Sequence, residues 1–334
     1  MKRLCFLFTT LFFTIISTFA LDVSEISSVL SEFANDNGGR LPLSSDIGLG
    51  WSDAYIGQLM DLPPHFGFGI TLGVNSMKTD KLKALTDVLE LPEVSPWFAG
   101  KQLFPAYALE TRIGGFQNAA FDIGIKIGYF PDIFALNGSY SYENLVFGGD
   151  IRININRGYG NAPKISLGFG VNYLSGHYSV DSYTEIWDSL NPNSNKLYIT
   201  WDTITILLKF SLSKAVANNN MTVFAGANLG YAITNTGLAI VGDTIQWNGA
   251  NMKDMNDKSE IAPALNNMIS GTKWEVKEDG KFGVWGGISG YAIALHLNGG
   301  FSIDFSNDLR LQFALAVDLV HLEFGLNFGF RWQQ

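Results

Sequence analysis

Cysteine is almost missing from this sequence: Cys5 is the only one. It lies in an opening segment that carries the marks of a removable leader, so the mature chain is expected to have none. That excludes disulfides, a thiolate metal site and a cysteine nucleophile, even in an oxidising compartment. Histidine is scarce too. His65, His177, His296 and His321 show no metal-ligand spacing. The fragments "HYS" at 177–179 and "HLE" at 321–323 supply no nucleophile–base pair on their own. "DMND" at 254–257 lacks the glycine and the closing glutamate of an EF-hand loop. No enzyme and no cofactor are expected. Charge is sparse at 16% of residues, with a net −9 that argues against a nucleic-acid partner. After residue 20 there is no uninterrupted apolar run of about 18 residues, so no membrane-spanning helix is expected.

The first twenty residues read "MKRLCFLFTTLFFTIISTFA". Lys2 and Arg3 precede an apolar run from Leu4 to Ile16, and Thr18-Phe19-Ala20 has the small-residue character of a cleavage site. A cleaved signal peptide over 1–20 is expected. Its loss removes two positive charges and takes the net charge from −9 to −11. What remains is neither disordered nor highly charged: 47% of residues are hydrophobic, 13% are aromatic, and 36 are glycine.

The dominant pattern has period two. "HFGFGITLGV" puts Phe66, Phe68, Ile70, Leu72 and Val74 on one face. "FDIGIKIGY" separates Phe121, Ile123, Ile125, Ile127 and Tyr129 from Asp122, Gly124, Lys126 and Gly128. The same alternation marks "LVFGGDIRININ", "KISLGFGVNY", "TITILLKFSL", "LRLQFALAVDL" and the terminal "LEFGLNFGFRWQQ". Weaker runs lie near 46–57, 104–114, 221–235 and 282–304. Such alternation makes strands with chemically distinct faces. In a secreted sandwich the apolar faces would meet in a core. In a membrane barrel they would face lipid and the polar faces would line a lumen.

Four features favour the barrel. The strong runs are about 10–12 residues long, close to what a tilted strand needs to cross the hydrocarbon layer. The chain has a secretion signal. Short connections at 114–118, 158–163 and 215–220 contrast with long polar ones at 177–196 and 236–280, as in outer-membrane barrels. Tyr129, Tyr173, Trp201, Tyr231, Trp285 and Trp332 fall near run ends, where aromatic girdles belong. The fold class expected is all-β: an antiparallel transmembrane β-barrel with short N-terminal and loop helices. About eleven runs and the even-number rule of bacterial barrels point to about twelve strands, within a range of ten to fourteen.

The last strand carries Phe328, Phe330 and Trp332 in alternation. It resembles the C-terminal signal of bacterial outer-membrane barrels, departing from it by Gln333 and Gln334 after the final aromatic. That resemblance implies outer-membrane localisation, lipid around the barrel and recognition by the barrel-assembly machinery.

Two segments have helical rather than alternating character. In "LDVSEISSVLSEFANDNGG", Asp22 and Glu25 suggest a capping box, and Ile26, Val29, Leu30 and Phe33 form one stripe. In "TDKLKALTDVLELP", Leu82, Leu85, Val88 and Leu89 form another. The expected layout is a helical segment over 21–45 followed by the barrel over 46–334; the helices either cover hydrophobic surface at a barrel mouth, or one of them plugs or constricts the lumen. Glycines on the presumed inner face, among them Gly67, Gly69, Gly73 and Gly124, would let an interior element approach the wall. An N-terminal plug with apolar helices resembles the long-chain fatty acid transporter family. The Asn-Pro-Ala stretch of that family's hatch is missing, so no site transfers.

The lumen-lining candidates are Asp122, Lys126, Asp150, Arg152, Lys209, Arg310, Asp318 and Arg331. Their mixed signs suit a passive channel or uptake protein for small solutes without strong ion selectivity. The same charges could simply pair and hold the barrel together. A surface or adhesion barrel using loops 177–196 and 236–280 is a second reading. A plugged transporter of hydrophobic compounds is a third.

Overall fold

The computed structural model describes residues 38–54, 66–78, 100–114, 121–131, 140–158, 162–181, 196–216, 220–241, 246–247, 250–251, 273–277, 283–306 and 308–333, with the single positions Glu32, Asn35, Asp36, Asp80, Lys83 and Pro263. One short helix, α1 (Leu41–Ser45), precedes the strands. These are β1 (Phe66–Lys78), β2 (Lys101–Gly114), β3 (Phe121–Phe130), β4 (Tyr140–Arg157), β5 (Lys164–Asp181), β6 (Lys196–Val216), β7 (Met221–Val241), β8 (Gln246–Trp247), β9 (Ala250–Asn251), β10 (Lys273–Lys277), β11 (Gly283–Asp304), β12 (Leu309–Asp318) and β13 (Glu323–Gln333).

Ten of these close into an antiparallel β-barrel. β1 to β7 pair in sequence, β7 pairs with β11, and β11, β12 and β13 follow. β13 then pairs with β1 from Gly67↔Gln333 to Asn75↔Gly325, which closes the ring. β10 adds a short flank to one end of β11, from Lys273↔Gly287 to Lys277↔Gly283. β8 and β9 form a separate two-stranded piece. The sheet closes on itself, so the sandwich is excluded.

The ten-strand ring corrects the expectation of about twelve, while remaining inside the ten-to-fourteen range. Every alternating run in the sequence becomes a ring strand except 46–57. That run was expected to be wall, with the barrel starting at 46. The first wall strand instead starts at Phe66, and residues 46–54 lie inside the ring. Ile47, Leu49 and Trp51 alternate with Gly48 and Gly50 in the sequence, but the segment is not paired in the sheet. Gly48 and Leu49 both have positive φ, 72° and 55°, which takes them out of strand geometry.

Strands also run further than expected. β5 reaches Asp181 and β7 reaches Val241, into stretches expected to be loops at 177–196 and 236–280. One end of the barrel carries the short connections 115–120, 158–163, 217–220 and 305–308. The other carries 79–100, 131–139, 182–195 and 242–282, together with the short turn 319–322.

Side chains on the two faces invert the arrangement of a water-soluble protein. Leu72 is 53% exposed, Ile125 51% and Phe324 57%, all on the outside. Neighbouring strands stack rings there: Phe301 on Phe313 at 5.4 Å, Phe313 on Phe328 at 5.0 Å, and Tyr231 against Tyr291 at 6.3 Å. The inner face buries Thr71, Glu110, Arg112, Asp122, Lys126, Asp150 and Thr205. Trp201, expected in an outer girdle, is on this inner face and only 1% exposed. Strand parity explains the correction, because Trp201 lies an even number of residues from Thr203, Thr205 and Lys209.

Candidate functional site

The site is a segment of the chain threaded through its own barrel. Residues 38–54 run down the lumen. At the end with the long connections, the carbonyl of Gly38 accepts from the Thr234 hydroxyl at 3.3 Å. Arg40 forms an ion pair with Glu323 at the start of β13. Pro42 occupies the first turn of α1, where a missing N–H costs nothing. At the opposite end, Asp53 meets Lys164 at 3.1 Å and also pairs with Arg310. Ala54 is tied by both backbone groups: its N–H donates to Ser213 Oγ at 2.9 Å, and its carbonyl accepts from Ser166 Oγ at 2.6 Å.

Between these ends the wall grips the segment mainly by its backbone. Lys126 Nζ donates to the carbonyls of Ser45 at 2.5 Å and Ile47 at 2.6 Å. Glu110 accepts from the Leu49 N–H at 2.5 Å and from Trp51 Nε1 at 2.9 Å. Gln312 and Arg331 donate to the Gly50 carbonyl, at 2.5 and 3.4 Å. Arg152 donates to the Asp53 carbonyl at 2.8 Å. A segment unpaired in any sheet and enclosed by the wall needs such partners, because each unmet backbone group there would cost a hydrogen bond's worth of free energy.

Three inner-wall glycines receive the segment's large side chains. A Cβ on Gly73 would lie 2.4 Å from Ile47 Cδ1, one on Gly124 2.7 Å from Leu49 Cδ2, and one on Gly67 2.2 Å from Trp51 Cη2. Gly69 instead makes room for the Arg331 stem. The Trp51 ring also lies 4.9 Å from the Arg331 guanidinium, within cation–π range.

The charges behind this grip form a buried network running from Asp122 to Asp46, with Arg331 and Glu110 as a separate pair. Arg112 bridges Asp122 and Asp150, with the second contact at 2.5 Å. Arg152 holds Asp122 through two nitrogens, at 2.8 and 2.9 Å. Lys209 links Asp150 at 3.2 Å to the segment's Asp46 at 3.3 Å. Asn228 donates to Asp46 at 2.5 Å. Arg331 pairs with Glu110 at 3.0 Å. Each charge in this network has an opposite partner, the condition under which ions survive burial, while Lys126 is met by the two carbonyls instead.

Among the described residues, a cavity of about 50 Å³ lies between the segment and the wall, bordered by Asp46, Trp51, Asn228, Gln312 and Arg331. That volume takes a few waters, since one needs roughly 10–15 Å³ on this measure. Closer to the end with the long connections, Phe104, Tyr142, Tyr178 and Trp201 pack into a second obstruction, with ring separations from 4.8 to 6.3 Å.

Of the eight lumen candidates, Asp122, Lys126, Asp150, Arg152, Lys209 and Arg331 are gathered at the threaded segment. Arg310 stands at the end with the short turns, between Asp53 and Asp304. Asp318 is apart from them, accepting from the Val320 N–H at 2.8 Å and facing His321 at 2.8 Å in the turn before β13. The plug candidates Ile26, Val29, Leu30 and Phe33 lie outside the described residues. Sequence reasoning missed Glu110 and Arg112, although their alternation with Leu109 and Ile113 was readable. It also missed Asp46 and Asp53, which had been assigned to wall. Among the described residues, no His, Cys, Asp and Glu gather into a metal-ligand group.

No known family and no curated protein matches this sequence. Among solved structures, the chain is similar to the translocator domain of autotransporter NalP from Neisseria meningitidis, at 10% identity over 94% of this chain and 99% of that one, with a TM-score of 0.36. It is similar to the Pseudomonas putida toluene transporter TodX at 9% identity over 87% and 96%, with a TM-score of 0.32. For the Acinetobacter baumannii outer membrane protein Omp33 the values are 7%, 81%, 99% and 0.25. Similarity at this level assigns neither a family nor a substrate.

Proposed function

We propose that this chain is an outer-membrane β-barrel, closed at rest by its own residues 38–54, that passes small polar solutes when that segment is displaced. The observation that carries the reading is the inversion of the two faces around a filled lumen. An exposed belt of Leu72, Ile125, Phe313 and Phe324 outside a closed ring suits lipid, where only helices and closed barrels satisfy their backbones. The signal peptide expected over 1–20 and the resemblance of the terminal strand to the C-terminal signal of outer-membrane barrels fit the same placement.

With residues 38–54 in the lumen, passage requires that the segment move, so the channel is gated at rest. Charged groups such as Lys126, Asp150 and Lys209 favour polar solutes over the hydrophobic compounds suggested by the fatty-acid-transporter resemblance. The segment is held in the lumen by hydrogen bonds and ion pairs and joins β1 through residues 55–65, so its displacement breaks only non-covalent contacts and leaves it tethered to the barrel. Nothing in this scheme calls for catalysis.

The experiment is planar-bilayer recording from purified protein with and without residues 22–54. Full-length protein should be mostly silent. The shortened barrel, once circular dichroism establishes an equally folded sheet, should conduct in steady steps. Silence from both would favour a closed surface scaffold; equal steps from both would remove the plug.

A further inference from the structure

The segment 38–54 crosses the barrel in a direction that bears on where the preceding chain lies. Gly38 is at the level of Thr234, which is paired with Thr203 in β6 and Gly290 in β11. Ala54 is at the level of Ser213, ten residues further down β6 and paired with Phe224. Ten strand residues cover about 33 Å along the strand, or roughly 25 Å of height at the usual tilt. The segment therefore spans the height of a hydrocarbon layer, starting at the end with the long connections and finishing at the end with the short turns.

Burial supports an exit at that first end. Residues 38–45 are buried, whereas Glu32 and Asn35 are exposed and Asp36 is intermediate. Local architecture provides the way out. β12 and β13 are joined by the short turn 319–322, whose rim lies low beside the longer β7 and β11. Gly39 passes this rim so closely that a Cβ there would strike the His321 ring at 1.9 Å. Arg40 is clamped just inside by Glu323, at the first position of β13.

We infer that the barrel threads its own chain outward, so that the flank preceding Gly38 is displayed on the same side of the membrane as the long connections. Resting on the outer-membrane reading, this makes that flank a cell-surface element, even though β1 starts at the periplasmic end. The described flank positions Glu32, Asn35 and Asp36 would then lie on the same side of the membrane as the ends of β1, β5 and β7 that lead into the long connections. A partner that binds the flank would act directly on the segment that closes the lumen.

Single cysteines test this in the full-length protein on a Cys5→Ala background. Asn35→Cys reports the flank, Asp188→Cys a long connection, and Asn220→Cys a short turn. Each is exposed on intact cells to a membrane-impermeant maleimide, and again after outer-membrane permeabilisation. Labelling of Asn35→Cys and Asp188→Cys on intact cells, with Asn220→Cys labelled only after permeabilisation, is the expected result. If Asn35→Cys follows Asn220→Cys, or labels under neither condition, the display inference is overturned while the barrel orientation stands. If Asn220→Cys labels on intact cells and Asp188→Cys does not, the orientation reading fails and cell-surface display fails with it.

Discussion

A valine at Gly67 probes the fit between the threaded segment and the wall. The nearest atoms to an added Cβ belong to the Trp51 ring, at 2.2 and 2.4 Å, while the nearest wall atom is the Trp332 carbonyl at 3.5 Å. The strand itself should accept valine, because β-branched residues suit a pleated wall better than glycine does. The clash therefore falls on the segment. Trp51 would have to leave its seat, giving up its bond to Glu110 and its contact with Arg331. Losing a buried tryptophan typically costs about 3–5 kcal/mol. At about 1.4 kcal/mol per tenfold change, the ratio of closed to open lumen should fall by roughly 10²–10⁴. Single-channel recording should show this as a matching rise in open probability. Trp51→Ala is the paired control: it opens the lumen on its own, and it should make the further effect of Gly67→Val small. Unchanged open probability for Gly67→Val, or the same large effect of valine on the Trp51→Ala background, would refute the steric reasoning.

Lys126→Ala should loosen the segment with little loss of barrel stability, because the ammonium mainly holds the carbonyls of Ser45 and Ile47; open probability and urea unfolding report the two effects separately. Arg112→Leu should destabilise the barrel by about 3–5 kcal/mol, since it leaves Asp122 and Asp150 short of a buried partner. Lower urea midpoints in lipid vesicles would register the loss. Ile125→Arg and Phe313→Arg should each cost about 2–4 kcal/mol in lipid if their exposed positions lie near the bilayer midplane, with the same urea titration as the check. Removing residues 22–37 alone should leave conductance nearly unchanged, because residues 38–54 stay in the lumen; bilayer recording of that deletion checks the assignment.

The wall was legible because each of its strands repeats one rule. Phe121, Ile123 and Ile125 announce an outer face, while Asp122 and Lys126 announce an inner one, without reference to any other strand. Parity alone could have put Glu110, Arg112 and Trp201 inside; their run was weaker, and Trp201 lay close enough to a strand end to resemble a girdle residue. The threaded segment was harder for a physical reason. Ile47, Leu49 and Trp51 alternate as a strand does, but their partners are Gly73, Gly124 and Gly67 on the wall, not a neighbouring strand. Alternation in the sequence does not establish that a stretch is extended or that it pairs in a sheet, and with positive φ at Gly48 and Leu49 this one does neither. Asp46 depends on Lys209 and Asn228, and Asp53 on Lys164 and Arg310, contacts more than a hundred residues away. Local pattern cannot carry such information.

The central claim is that residues 38–54 occupy the lumen and hold it closed. A reversible cross-link between that segment and the wall tests it most directly. Ser45 Oγ lies 3.1 Å from Thr205 Oγ1, so cysteines at these two positions are close enough to join. The pair is placed in a Cys5→Ala, Gly67→Val background, where openings should be frequent. Oxidation should form the bond in the folded barrel, detected by mass spectrometry of the digested protein, and should abolish the openings. Reductant should bring them back in the same recording. Failure of the bond to form in the folded protein, or openings that continue unchanged with the bond in place, would contradict the account.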